Sequence, residues 1–167
     1  LNWNLLLLDA TSQILQIDPY RNGASASFRE GYIATTSPLI LNGANLTFEQ
    51  VSLDAGTLWL GEGTTLNFEG EILADVRNDG STFSVAGRNI GRCDILGTLI
   101  NQDKGEESGQ LVGSMPFDIS GYTPISSHDY LEVTGYADMV CSIELRWRDF
   151  APEDGDGFDL INVGYSY

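Results

Sequence analysis

The sequence has almost no lysine and few basic residues of any kind. Lys104 is the only lysine, and 8 Lys and Arg residues stand against 24 Asp and Glu residues, which gives a formal net charge of -16. A basic face for phosphate groups cannot be assembled from so few scattered cations. The composition therefore argues against nucleic acid and against an anionic membrane surface as partners.

Long hydrophobic runs are lacking as well. The longest uninterrupted run is Leu5–Leu8, whereas a membrane-spanning helix needs roughly 20 apolar residues. We therefore expect no insertion into a membrane. The chain begins at Leu1 rather than Met, and no basic segment precedes an apolar stretch, so we expect a processed or trimmed product.

Cysteine and histidine, the usual zinc ligands, are scarce. Cys93 and Cys141 lie far apart, without a CxxC pair or a neighbouring histidine, so a zinc site is not expected. They form either one long-range disulfide or two buried thiols. The single histidine, His128, precedes Asp129, but no Gly-x-Ser-x-Gly elbow supplies a nucleophile. We expect a structural or exposed histidine, and we predict no catalytic residue and no enzyme.

Glycine, in contrast, is abundant, and the middle of the chain contains a repeat. Segments 39–48 and 58–68 each carry an alternating apolar pair, a turn with glycine and a second alternating pair. Leu46 and Phe48 recur 20 residues later, and weaker copies continue to about residue 99. Helical periodicity is absent except over residues 9–17, which form either a capping helix or another strand.

These short alternating segments favour stacked coils. Alternation with period two turns one face of each strand inward, and strands of three to five residues need neighbours to be stable. The sequence therefore predicts an all-β fold, a parallel β-solenoid (β-helix) of short coils. The alternative is a β-sandwich or jelly roll. The polar positions expected to face outward are Asn45, Thr47, Asn67, Glu69 and Ser84.

A different series of strands and turns begins near residue 109. It includes Gly121-Tyr-Thr-Pro124, Asp129-Tyr-Leu-Glu-Val-Thr-Gly135 and Phe150-Ala-Pro-Glu-Asp-Gly-Asp-Gly-Phe-Asp-Leu-Ile161. In order and spacing, this series resembles the C-terminal coils of bacterial surface β-solenoid proteins, among them autotransporter-type passenger domains and PEP-CTERM-associated surface proteins. The chain departs from that pattern at His128 and around Cys141. The resemblance implies an extracellular, passive structural protein without catalytic residues.

A chain of 167 residues suits a single domain with a real core. We expect one domain over residues 1–167, with an N-terminal cap or assembly segment over 1–35. Solenoid coils follow over 36–108, and a distinct set of C-terminal capping coils covers 109–167.

The acidic turn near the C-terminus is the best candidate for a ligand site. Carboxylates at alternate positions around glycines can surround Ca²⁺, and the residues concerned are Asp154, Asp156 and Asp159. The competing interpretation is a solvated turn in which Asp caps backbone N–H groups. No other cofactor is expected.

Several apolar or polar positions are candidates for interaction with other molecules. Trp59 lies between two inward leucines, so its ring is expected to point outward, towards another subunit or a glycan. Asn45 begins an Asn-Leu-Thr glycosylation sequon. The N-terminal leucines are expected to pair with an open solenoid end; they are Leu5, Leu6, Leu7 and Leu8.

Two functions follow from this pattern. The first is an extracellular or cell-surface structural or adhesive module that self-associates or binds another surface protein, as a filament or coat subunit. The second is a carbohydrate-binding or carbohydrate-active β-helix, which requires acidic and aromatic side chains along one outer flank. The acids and cation considered for such a flank are Glu69, Glu71, Asp75 and Arg77.

Overall fold

The protein is all-β over the part of the chain that the structure describes. A computed structural model describes residues 2–3, 9–10, 15–17, 25–87, 89–101 and 113–164. These residues contain strands and turns and no helix, so residues 9–10 and 15–17 are strands. The strands are β1 (Asn2–Trp3), β2 (Asp9–Ala10), β3 (Leu15–Ile17), β4 (Ser25–Thr35), β5 (Leu39–Leu41), β6 (Asn45–Leu60), β7 (Thr65–Asn78), β8 (Thr82–Val85), β9 (Arg92–Ile95), β10 (Leu99–Asn101), β11 (Ser114–Ile119), β12 (Tyr130–Val133), β13 (Ala137–Met139), β14 (Ser142–Trp147) and β15 (Ile161–Val163).

All pairings between these strands are parallel, and they form three ladders. The first ladder runs through β1, the starts of β4, β6 and β7, and then β8, β11 and β14. The second runs through β2, the later parts of the same long strands, and then β9, β12 and β15. The third joins β3, β5, the ends of β6 and β7, β10 and β13.

The chain visits the first, second and third ladder in turn and then returns to the first. We call each such circuit a coil. The result is one curled parallel sheet, which is consistent with the predicted β-solenoid. Parallel strands need a long return connection, whereas the strands of a sandwich or jelly roll are joined antiparallel by hairpins. The all-β parallel architecture predicted from the repeat is therefore confirmed.

Equivalent side chains stack on one another inside the coils. The predicted 20-residue offset is confirmed, since Leu46 pairs with Leu66 and Phe48 pairs with Phe68. Phe48 lies between two other rings, with centroids 4.8 Å from Phe28 and 5.4 Å from Phe68. Stacking of inward apolar residues along each ladder gives one continuous core.

One of the positions expected to face outward is covered by other residues. Asn45 is exposed, and Thr47, Asn67 and Glu69 are half-buried, but Ser84 is only 2% exposed. The turn that follows β8 explains the difference, because it folds over this face. A Cβ added to Gly87 would lie 2.9 Å from the Cβ of Asn67, and Asn67 is the ladder partner of Ser84.

Gly70 marks the corner at which β7 leaves the first ladder for the second. Its φ of +129° is accessible to glycine alone, and an added Cβ would lie 2.1 Å from the carbonyl oxygen of Val51 in the previous coil. The paired strand β6 has a register irregularity at the same corner, between Phe48 and Val51. The close approach of two backbones therefore requires glycine here.

We expect Gly70→Ala to lower the free energy of unfolding by roughly 2 kcal/mol or more, since backbone strain of this kind costs about 1–3 kcal/mol before any steric clash. Urea denaturation followed by circular dichroism measures the effect. Gly157→Ala is the control, because a Cβ there meets nothing within 4 Å. Equal stability of the two variants would contradict this account of the corner.

Candidate functional site

The last coil exposes side chains whose ladder partners in the preceding coil are buried. Three apolar residues of β14 occupy the inward ladder positions and are 49%, 41% and 42% exposed; they are Ile143, Leu145 and Trp147. Their partners in β11 are completely buried; they are Met115, Phe117 and Ile119. We call the exposed inward face of β14, together with the outer edges of β13, β14 and β15, the open end.

The backbone at the open end is also unpaired on one side. Within the described part of the chain, β13, β14 and β15 each have a single ladder partner, namely β10, β11 and β12. Among the described residues, each of the three ladders therefore ends with a row of N–H and C=O groups that no further strand pairs. Such rows are templates for further strands.

An aromatic cluster lies at one edge of the open end. Phe158 is its centre, with the Tyr122 ring stacked parallel at 5.7 Å and the Trp147 ring tilted at the same distance. Phe150 packs edge-on against Phe158 at 6.0 Å, and the His128 ring packs edge-on at 5.8 Å. This cluster fixes the long acidic loop that follows β14 against the coil beneath it.

The carboxylates proposed for calcium do not form a cluster with each other. The carboxylate of Asp156 accepts hydrogen bonds from the Tyr122 hydroxyl at 2.6 Å and from the Glu153 backbone N–H at 2.6 Å. The first of these bonds raises the pKa of Tyr122 to about 12. Asp154 and Asp159 are exposed, and no set of three metal-ligating side chains occurs among the described residues. Calcium binding at Asp154, Asp156 and Asp159 stays a prediction.

His128 is a buried structural residue. Its Nδ1 lies 3.1 Å from the carbonyl oxygen of Gly121 and its Nε2 lies 3.3 Å from that of Asp159. These contacts tie the turn after β11 to the acidic loop. The sequence left two alternatives for His128, a structural role or an exposed position. The buried side chain agrees with the structural role.

Two buried carboxylates lie next to this histidine. Asp129 accepts backbone N–H bonds from Gly91 at 3.0 Å and from Asp118 at 2.7 Å. One carboxylate oxygen of Asp118 lies 2.8 Å from the Arg148 guanidinium, and the other has no hydrogen-bond partner among the described residues. Burial raises the pKa of Asp129 to about 7, even though the two backbone hydrogen bonds lower it.

The raised pKa of Asp129 predicts a dependence of stability on pH. Its usual value is 3.8, so between about pH 4 and pH 7 the folded protein keeps a proton that the unfolded chain releases. The free energy of unfolding should therefore fall as pH rises through this window, by roughly 3 kcal/mol. Chemical denaturation at a series of pH values measures the slope.

Asp129→Asn should remove most of that slope. It should lower stability at low pH, where the native acid is already neutral, because the amide nitrogen cannot accept a backbone N–H bond. Asp154→Asn is the control, because it makes the same chemical change at an exposed position. An Asp129→Asn slope equal to that of the unmodified protein would refute the assignment of this titration to Asp129.

A charged group lies on the outer face of the second ladder. The Arg92 guanidinium lies 2.6 Å from the carboxylate of Asp94 and 2.6 Å from that of Glu132, and 5.7 Å from the centroid of the Tyr130 ring. The bond to Asp94 is the main reason for the raised pKa of Arg92. This group borders an open cleft of about 570 Å³.

The sequence did not single out this group. It pointed instead to Glu69, Glu71, Asp75 and Arg77, among which only Glu71 adjoins the group, as the ladder partner of Asp94. Asp75 instead accepts hydrogen bonds from the N–H and hydroxyl of Thr98, and these two bonds are the main cause of its lowered pKa. The sequence does contain an Arg-x-Asp at Arg92 and a Tyr-x-Glu at Tyr130. Only the pairing register of β9 with β12 shows that the two segments lie side by side.

The remaining candidate residues lie on separate surfaces. Trp59 points outward and is 37% exposed, and its Nε1 donates to Asp79 at 2.7 Å. Asn45 is exposed at the first position of β6. Leu5, Leu6, Leu7 and Leu8 lie outside the described residues.

Cys93 and Cys141 are both free in this structure, so the disulfide alternative is not formed here. Cys93 is fully buried on β9, and burial raises the pKa of its thiol. Cys141 is half-buried before β14, and burial raises its pKa as well. Neither thiol shows the lowered pKa of a reactive cysteine.

Comparisons with known proteins return no relative: no protein-family model, curated protein or solved structure matches the chain. The likeness to bacterial surface β-solenoid proteins therefore depends on the sequence pattern alone. Within the described ranges, no helix has the length and hydrophobicity needed to cross a membrane.

Proposed function

We propose that this chain is an extracellular β-solenoid module with a structural or adhesive role, and that it associates head to tail through its open end. The three ladders visited in turn support the solenoid architecture. The sequence resemblance to surface proteins and the strongly acidic composition support an extracellular setting. This role requires no catalytic group.

The exposed inward face of β14 is the observation that carries the proposal. Complete burial of a large apolar side chain contributes about 1.5–3 kcal/mol to the free energy of unfolding. Because Ile143, Leu145 and Trp147 are half-exposed, each lacks roughly 1 kcal/mol of that stabilisation. A further coil on this face would recover that energy and pair the free backbone edges. Added structure on the exposed row would therefore stabilise the protein.

A second copy of this chain is the occupant that matches the open end. The open end presents the edges of β13, β14 and β15 at once, so its complement is a coil of three parallel strands in the same order. The chain holds such edges at its other end, where β1, β2 and β3 begin the same three ladders. When unlike ends join, each added copy leaves a new end to which another copy can bind. If the rotation between successive copies does not close a ring, the product is a filament.

Charge sets the conditions for this association. A net charge of -16 on each copy opposes contact between copies. Because salt screens exposed charges over about 10 Å at 0.1 M, we expect association to strengthen as ionic strength increases.

Leu145→Glu should abolish self-association, since it places a charge at the centre of the open end. Sedimentation velocity in 0.5 M salt measures the change, and electron microscopy shows whether the unmodified protein forms filaments. Leu96→Glu is the matched control, because Leu96 is 44% exposed and lies away from β14. We expect the control to assemble normally.

An unmodified protein that remains a monomer at high protein and salt concentration would refute the proposal. So would assembly of Leu145→Glu equal to that of Leu96→Glu. Circular dichroism of both variants verifies that each retains its strands.

A further inference from the structure

The cleft on the second ladder is built from three successive coils. Arg92 of β9 is the ladder partner of Tyr130 on β12, and Glu132 of β12 is the partner of Asn162 on β15. Asp159 of the acidic loop and Ile161 complete this part of the wall. The volume of about 570 Å³ lies within the range of roughly 300–1,000 Å³ that is usual for small-molecule sites.

The cleft holds both hydrogen-bond donors and acceptors that no described residue uses. Arg92 is bound through Nε and one terminal nitrogen, which leaves its other terminal nitrogen available. The side chains of Tyr130, Asp159 and Asn162 make no hydrogen bond within the described part of the chain. The pairing with Asp94 and Glu132 meanwhile holds the guanidinium in a fixed orientation.

The mixture of groups selects against several classes of ligand. An anion would face the carboxylates of Glu132 and Asp159, and a metal ion would face the Arg92 guanidinium. A purely apolar ligand would leave these polar groups without partners, which costs free energy. A neutral polyol remains, because each hydroxyl both donates and accepts and so suits carboxylate, amide and guanidinium groups together.

Apolar surface completes the fit. Tyr130, Pro124 and Ile125 present carbon atoms to the cleft, which suits the C–H face of a sugar ring. Ile125 is held at a φ of +70°, a strained conformation for a β-branched residue. Strain of this kind concentrates at ligand sites, where surrounding structure holds it in place.

We infer that this cleft binds a neutral sugar ring of an oligosaccharide, with Arg92, Glu132, Asp159 and Asn162 contacting hydroxyls and Tyr130 contacting the ring. The cleft lies on the outer face of the second ladder, whereas head-to-tail association uses the inward face of β14 and the outer edges of β13, β14 and β15. Strand β15 belongs to both surfaces, because its Ile161 and Asn162 line the cleft. A surface module that carries this cleft would attach to glycans as well as to copies of itself.

Isothermal titration tests the inference with neutral gluco-, galacto- and manno-configured oligosaccharides, beside uronic acid and sulfated oligosaccharides. We expect saturable binding of at least one neutral sugar and none of the acidic ones. Asp159→Ala and Tyr130→Ala should each weaken that binding at least ten-fold. The measurements are repeated in the Leu145→Glu background, so that failure of self-association does not affect the result.

Asp154→Ala is the matched control, because it removes the same charge from the same loop outside the cleft. Trp59→Ala tests the other exposed aromatic surface. Absence of binding to every neutral sugar, or binding restricted to acidic sugars, would overturn the inference. Binding that survives Asp159→Ala and Tyr130→Ala but is lost in Trp59→Ala would overturn it too.

Discussion

Backbone pairing between successive coils is the constraint on which the rest of the structure depends. Most strands here are only three to six residues long, and a strand of that length is stable only between neighbours. Parallel pairing in register also places equivalent side chains directly above one another, as in the stack of Phe28, Phe48 and Phe68. A shift of one residue would turn every inward side chain outward, so register and core formation are inseparable.

The same constraint explains why the last coil differs from the others. β11 has neighbours on both sides, and its Met115, Phe117 and Ile119 are fully buried. Among the described strands, β14 repeats the inward apolar pattern with a neighbour on one side only, so an equivalent pattern yields exposed side chains. Position in the stack, rather than residue type, decides which face is available for association.

Polar groups at the surface depend on the ladders in the same way. Arg92 meets Glu132 across 40 positions of sequence, and Arg148 meets Asp118 across 30. Arg92 and Glu132 lie on adjacent strands of one ladder, and Arg148 directly follows β14, the strand that neighbours the strand of Asp118. The repeat of alternating apolar pairs predicts the strands and the parallel sheet, but it does not reveal these pairs. Connections at the corners vary in length, and the partner of Thr65 lies 17 residues on, at Thr82, while the partner of Thr82 lies 32 residues on, at Ser114.

The sequence by itself determined the all-β character, the 20-residue step between Leu46 and Leu66, and the outward position of Trp59. These depend on local alternation, which any single strand displays. Only the tertiary structure decided that Ser84 is covered, that Asp129 is buried, and that Arg92, Tyr130 and Glu132 share a cleft. These features depend on how many residues each corner contains and on where each turn folds. The alternation of apolar residues does not report corner length, because the flanking strands keep the same inward pattern whatever the length of the corner.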